Sequence, residues 1–168
     1  MTKHIFIVNG MARAGKDTFA NFFMEMVPTM KVSSVDKVKL IARQCGWDGG
    51  KTEKDRKFLS DLKCLLTEYN DLPFSDIMLW VMRFRSSGLI DVLLIDIREP
   101  EEIERAKKAF GAKTILIKND RVPQLTSNMA DAGVYNYDYD IIIENNGTLE
   151  EFREKVKQFA EEYIYERS

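Results

Sequence analysis

Residues 4–18 read His4-Ile-Phe-Ile-Val-Asn-Gly-Met-Ala-Arg-Ala-Gly-Lys-Asp-Thr18. The first five, His4-Ile-Phe-Ile-Val8, form a short, continuous apolar run of the kind a central parallel strand needs. Gly10 and Gly15 allow the backbone to curl around an anion, with successive N–H groups and a helix N-terminus aimed at it. Lys16 supplies a point charge for the β- and γ-phosphates of a nucleoside triphosphate. Phe19, Phe22, Phe23 and Met26 then recur at helical spacing before Pro28. Strand, glycine loop and helix therefore follow in the order of a phosphate-binding G-x-x-x-x-G-K loop, with Asp17 where Ser or Thr usually follows the lysine.

Beyond this segment the elements alternate. Lys31-Val-Ser-Ser34 reads as a weak second strand, leading into a helix from about Asp36 to Cys45. Gly46-Trp-Asp-Gly-Gly50 breaks the pattern. A long helix is expected over 53–70, carrying Phe58, Leu62, Leu65 and Leu66, and another begins near Pro73 with Ile77, Met78, Val81 and Phe84. Leu89-Ile-Asp-Val-Leu-Leu-Ile95 is the third strand, Thr114-Ile-Leu-Ile117 the fourth and Asp140-Ile-Ile-Ile143 the fifth. Pro100 and Gly111 bracket a helix over roughly 100–110. Thr148 and Glu151 have capping-box spacing and open a final helix that runs to about Glu166. Five short apolar strands separated by helices indicate an α/β fold with a parallel sheet and right-handed crossovers. Ligands in such sheets gather at the carboxyl ends of the strands.

At 168 residues the chain is expected to be one domain, able to bury its core without metal or disulfide support. A formal charge of −2 provides no broad basic field and argues against nucleic acid as the main partner. Cys45 and Cys64 form no C-x-x-C pair and His4 is the only histidine, so two buried, reduced thiols are expected rather than a structural zinc site. Neither a signal pattern nor an apolar stretch long enough to span a bilayer is present, which fits a cytoplasmic protein with no membrane partner. Trp47 and Trp80 read as core packing within the helical insert, or as the lining of a pocket or subunit contact.

Asp96-Ile-Arg98 follows the third strand directly and should face the glycine loop. An aspartate there commonly holds Mg²⁺, which neutralises charge on the phosphates, and its alternative use is as a helix cap. Arg98 could grip a phosphoryl group with its bidentate fork, or form a surface ion pair with Glu101 or Glu102. Asp17 can bind a hard cation directly or through water, Thr18 could lend its hydroxyl instead, or Asp17 could serve only as a charge at the helix N-terminus.

Arg13-Ala-Gly-Lys-Asp-Thr18 resembles the R-[SA]-G-K-D-[TF] loop of the deoxynucleoside monophosphate kinases and animal-type phosphomevalonate kinases. Ser34-Val-Asp-Lys-Val-Lys39 is similar to the A-D-P-L-K segment of those nucleotide kinases. Asp96-Ile-Arg-Glu-Pro-Glu-Glu102 is similar to their D-x-R-x-x-x-E segment. Asp140-Ile-Ile-Ile-Glu-Asn-Asn-Gly-Thr148 resembles the D-x-x-I-x-N-x-G-[ST] ending of many P-loop small-molecule kinases, dephospho-coenzyme A kinase included. The resemblance implies a three-layer P-loop NTPase fold with a five-stranded parallel sheet in the order 2-3-1-4-5. It implies an acceptor-binding helical insert over about 36–88 and a short lid over about 118–139.

On the same grounds ATP phosphates would lie on Gly10, Met11, Ala12, Arg13, Ala14, Gly15, Lys16, Asp17 and Thr18, with Asn145 and Gly147 passing near the adenine. Mg²⁺ would be held by Asp17 and Asp96. A small phosphorylated acceptor would lie near Asp36, Lys39, Arg56, Arg98 and Glu102, with a solvated charged face as the other reading of Arg56. Lys16, Arg98, Arg13 and Arg121 would stabilise the group in flight. The lid departs from the kinase pattern: where several arginines are usual it offers Lys118 and Arg121, with Asn119, Asn128 and Asn136 between. Tyr135, Tyr137 and Tyr139 could stack on a base but read first as strand-entry packing. The expected activity is transfer of the γ-phosphoryl group of ATP to a (deoxy)nucleoside monophosphate, by a monomer or homodimer. The alternatives are another phosphorylated metabolite, of the dephospho-coenzyme A or phosphomevalonate type, or a nucleotide-binding module without transfer activity.

Overall fold

The computed structural model describes residues 2–123 and 133–165. Its strands are β1 (His4–Asn9), β2 (Thr29–Ser33), β3 (Val92–Asp96), β4 (Lys113–Lys118) and β5 (Ile141–Glu144). They form one five-stranded parallel sheet in the order β2-β3-β1-β4-β5, with helices on both faces. The register sets His4 opposite Val92, Ile7 opposite Thr114 and Leu116 opposite Ile142. Phe6, Ile7 and Val8 of β1, Val92 to Ile95 of β3 and Ile115 to Ile117 of β4 are all buried. Burial on both faces explains why these strands read as unbroken apolar runs rather than as alternating ones.

Two compact units are present, one built from residues 1–31 and 87–168 and the other from 32–86. In the first, α1 (Lys16–Met26) packs on α6 (Leu149–Ala160), the helix that the Thr148–Glu151 capping box opens. Their shared core is aromatic: the Phe159 ring lies 5.2 Å from Phe6, 5.8 Å from Phe19 and 5.6 Å from Phe23. Between β3 and β4, α5 (Pro100–Phe110) starts on Pro100 and stops at the left-handed Gly111, burying Ile103, Ala106 and Phe110. Past Ala160 the backbone widens into a single π-helical turn, Glu161–Tyr165. The second unit packs α2 (Asp36–Gln44), α3 (Glu53–Asn70) and α4 (Leu72–Ser86) on one another. A Thr52–Asp55 capping box starts α3, and Asp71, in the left-handed region at φ 55°, ends it.

Several expectations need correction. Both cysteines are exposed, not buried, because Cys45 sits at the C-terminal end of α2 and Cys64 lies on α3, which buries none of its residues. The third strand begins at Val92 instead of Leu89, and in the segment before it the Lys3 ammonium binds the carbonyls of Ser87 and Ile90. Leu89 is left exposed. Trp47 and Trp80 are half-buried: Trp47 donates its Nε1–H to the Gly50 carbonyl, and guanidinium groups of Arg43 and Arg83 lie over the two rings at 5.9 and 4.8 Å. No helix among the described residues is long and apolar enough to cross a membrane.

Candidate phosphate-binding site

The loop between β1 and α1 is bent, not flattened. Its Ala14 N–H closes a turn on the Met11 carbonyl at 3.1 Å. Met11 and Ala14 are buried, while Arg13 between them is exposed. Gly15 has φ 106°, and a Cβ there would sit 2.5 Å from the Asn145 amide nitrogen. At Gly10 a Cβ would meet the Ile117 carbonyl oxygen at 2.5 Å. Arg13, also left-handed at φ 66°, is the loop residue that carries a side chain in that region, a conformation costing on the order of 1 kcal/mol. Gly15, at the N-cap of α1, makes no side-chain cap hydrogen bond, and the helix N-terminus is an end that favours an anion. The Lys16 ammonium curls back onto the carbonyls of Gly10 at 2.6 Å and Met11 at 3.0 Å. A cation poised on loop carbonyls, beside a helix start without a cap, fits the tail of a nucleoside triphosphate.

Beside this loop, Asp17 and Asp96 converge on one cation, the ammonium of Lys31. Its Nζ is 2.6 Å from the Asp17 carboxylate and 3.2 Å from that of Asp96. Asp17 therefore does more than favour the helix N-terminus, and Asp96 does not cap α5, whose N-cap is Glu99. Burial pushes the Asp96 carboxyl above its ordinary range, against the opposing pull of Lys31 and Lys16. For Lys31 desolvation acts downward, but the two carboxylates outweigh it and hold the ammonium above its usual value. Two carboxylate oxygens gathered at a phosphate loop are the hard donors that Mg²⁺ requires, so the residues present fit that ion. Lys31 was not singled out as functional in the sequence, where it only opened a weak strand.

A second buried group escaped sequence reading. Asn9, wholly buried at the end of β1, accepts the Gly10 N–H on Oδ1 and donates through Nδ2 to the Tyr139 hydroxyl at 2.8 Å and the Arg98 carbonyl at 3.1 Å. Tyr139 in turn donates to the Val134 carbonyl. One asparagine thus ties the entrance of the loop to the end of β3 and to the segment before β5. Behind the loop, the Asn145 amide donates to the Ala14 carbonyl at 2.9 Å. This places Asn145 as a brace for the loop backbone.

The segment after β4 is stitched to the turn after β5. Asp120 and Asn146 exchange two hydrogen bonds at 2.9 and 2.7 Å, and Arg121 donates to the Gly147 carbonyl at 3.0 Å. Lys118, Asn119, Asp120, Val122 and Tyr135 line a shallow cavity of about 160 Å³ there. Tyr137 donates to Glu104 and meets Tyr139 edge-on, which accounts for two of the three alternating tyrosines by packing and hydrogen bonding. Asn128 lies outside the described residues.

Asp140, the first residue of the fifth-strand motif, is a clasp between strands. It accepts from Thr114 N–H and hydroxyl at 2.8 and 2.9 Å and pairs with Lys107 at 2.7 Å. Asp140→Ala should cost about 1–2 kcal/mol in denaturant unfolding, as it strips acceptors from the buried Thr114. Burial raises the carboxyl's pKa, but Lys107 and Thr114 prevail and hold it below the ordinary value. The stabilisation is therefore fully present above the unfolded value of about 3.9 and is lost as pH falls through the lower, folded one. Wild type and Asp140→Ala should accordingly converge in stability under acid.

Of the residues expected at the site, Gly10 to Thr18, Asp96, Arg98, Glu102, Arg121, Asn145 and Gly147 all belong to the first unit, at or beyond the carboxyl ends of its strands or on the first turns of α1 and α5. Arg13 and Arg98 are exposed, and Glu102 is half-buried in the first turn of α5. Asp36, Lys39 and Arg56 belong to the second unit and are exposed there. Asp36 accepts the Ser33 N–H at 2.8 Å, which shapes the start of α2.

No protein-family model matches the chain, and no curated protein matches it. Solved structures do. A Thermus thermophilus protein shares 15% identity at a TM-score of 0.52, covering 98% of this chain and 100% of its own. A sugar kinase from Janibacter sp. shares 9% at 0.54, covering 96% and 95%. The dephospho-CoA kinase from Campylobacter jejuni shares 18% at 0.51, covering 95% and 97%. At such identities the likeness is one of fold, and together with the strand order it assigns the chain the three-layer P-loop NTPase fold found in small-molecule kinases.

Proposed function

We propose that the protein is an ATP-dependent kinase that transfers the γ-phosphoryl group to a small phosphorylated acceptor, a (deoxy)nucleoside monophosphate first among them. The observation that carries this reading is the bent loop with Lys16 at its mouth, beside two carboxylates gathered on a single cation. Main-chain N–H groups at the start of α1 would bind the phosphate tail, and Lys16 would exchange its loop carbonyls for phosphate oxygens. Asp17 and Asp96 would hold Mg²⁺, which would neutralise phosphate charge. Arg98 and Arg13, exposed beyond the strand ends, are the groups suited to gripping phosphoryl oxygens.

The chemistry balances without a protein base. An acceptor phosphate monoester has its second pKa near about 6, so its attacking oxygen is already ionised at neutral pH. That oxygen bonds to the γ-phosphorus as the bond to the β-bridging oxygen breaks, releasing ADP. The chain's single histidine, His4, lies at the opposite end of β1 from the loop, and burial lowers its pKa. An acceptor that brings its own anionic nucleophile suits such a site. Catalysis then consists of positioning and charge neutralisation.

The test is ADP release with Mg²⁺ and a panel of nucleoside monophosphates, phosphomevalonate and dephospho-coenzyme A. Stimulation by a nucleoside monophosphate is the expected result. Stimulation by another member instead moves the acceptor to that class. Failure of every acceptor, with ATP still bound, leaves a nucleotide-binding module.

A further inference from the structure

Lys31 is the residue on which both proposed metal ligands close. It sits on β2, next to β3, whose last residue is Asp96. Its ammonium bridges a carboxylate on the first turn of α1 and one at the end of β3, at 2.6 and 3.2 Å. The two partners differ in setting: the Asp17 side chain is 88% exposed and that of Asp96 only 23%. A monovalent, tethered cation thus stands where a divalent ion's oxygen donors meet.

We propose that Lys31 is a built-in competitor for the divalent metal: it neutralises Asp17 and Asp96 in the nucleotide-free protein and must leave them for the metal to bind. This rests on the reading of Asp17 and Asp96 as metal ligands. Two carboxylates without a cation would repel each other and attract free metal. With Lys31 between them the negative charge is halved, and one oxygen of each carboxylate is already engaged by the ammonium. Free metal must displace the ammonium and leave that cation beside its own charge. Metal that arrives on a triphosphate brings its own oxygen ligands, and leaves Lys31 next to new phosphate charge. The protein therefore takes its metal together with the nucleotide and not before it.

The test is Mn²⁺ binding to the nucleotide-free protein, followed by electron paramagnetic resonance of the free ion. Lys31→Met and Lys31→Gln should each tighten Mn²⁺ binding by about tenfold or more, whereas Lys31→Arg should bind it as weakly as wild type. Melting curves establish that each variant is folded, and Mn²⁺ alone should raise the melting temperature of Lys31→Met more than that of wild type. The ζ-¹⁵N resonance of Lys31, assigned from its loss in Lys31→Arg, should shift when Mg²⁺ and ATP are added together and stay in place with ATP alone. Unchanged or weaker Mn²⁺ affinity in both neutral variants, or a Lys31 resonance unmoved by Mg²⁺ with ATP that calorimetry shows to be bound, overturns the proposal. Loss of ATP binding by wild type would instead strike the kinase reading, which the nucleotide-free titration does not use.

Discussion

Lys16→Ala is expected to lower acceptor-dependent ADP release by about 100-fold or more, the scale on which a preorganised positive or donor group acts on a developing anion. In the structure the Lys16 ammonium is already at the mouth of the loop, satisfied by the carbonyls of Gly10 and Met11. Exchanging those carbonyls for β- and γ-phosphate oxygens needs only side-chain rotation. Because the loss falls on charge that is fully expressed at the transition state, the turnover number should drop more than the apparent affinity for ATP. The melting temperature of the ligand-free variant should stay close to that of wild type, since Lys16 is half-buried and its loop partners are backbone carbonyls at a wet surface. A variant retaining turnover within about threefold of wild type would remove Lys16 from the machinery.

Phe159→Ala should produce the largest change in stability, about 3–5 kcal/mol. Phe159 lies against Phe6 of β1, Phe19 and Phe23 of α1, and Tyr163 beyond α6, whose ring is 4.9 Å away. Phe6, Phe19 and Phe23 are at most 1% exposed and Phe159 itself only 5%, so its removal leaves a gap among buried rings. The lost contacts include aromatic pair geometry that a smaller apolar residue does not restore. As α1 begins at the phosphate loop, loosening its underside should also weaken nucleotide binding. Denaturant unfolding gives the first quantity and calorimetry the second. A loss below about 1 kcal/mol would mean that the cluster repacks around the gap.

The order of strand, loop and helix was legible because each piece is local. An apolar run, two glycines at fixed spacing, a lysine and a 3.6-residue repeat lie within one short segment. The Thr148–Glu151 box was legible for the same reason, and it opens α6 as expected. Strand limits were less so: Leu89 and Ile90 extend the apolar run of β3, but in the structure they precede the strand, where Lys3, far earlier in the chain, takes the Ser87 and Ile90 carbonyls. The cysteines misled because helical spacing does not say which face of a helix its neighbours cover. Within the site, the glycines, Lys16, Asp17 and Asp96 were visible, since motif and strand-end position point to them. Lys31 and Asn9 were not. Their roles depend on side chains brought in by the sheet order, Asp96 across β2 and β3 for one and Tyr139 for the other. Asn145 was visible as a motif residue, but its placement behind the loop, on the Ala14 carbonyl, is a product of tertiary packing.

Calorimetric titration of the wild-type protein with a non-hydrolysable ATP analogue, with and without Mg²⁺, decides whether the loop between β1 and α1 holds a nucleotide. Saturable binding at one site, tighter with Mg²⁺, is the expected result. Absence of binding in either condition, at analogue concentrations up to the order of 1 mM where even weak nucleotide sites register, would contradict it.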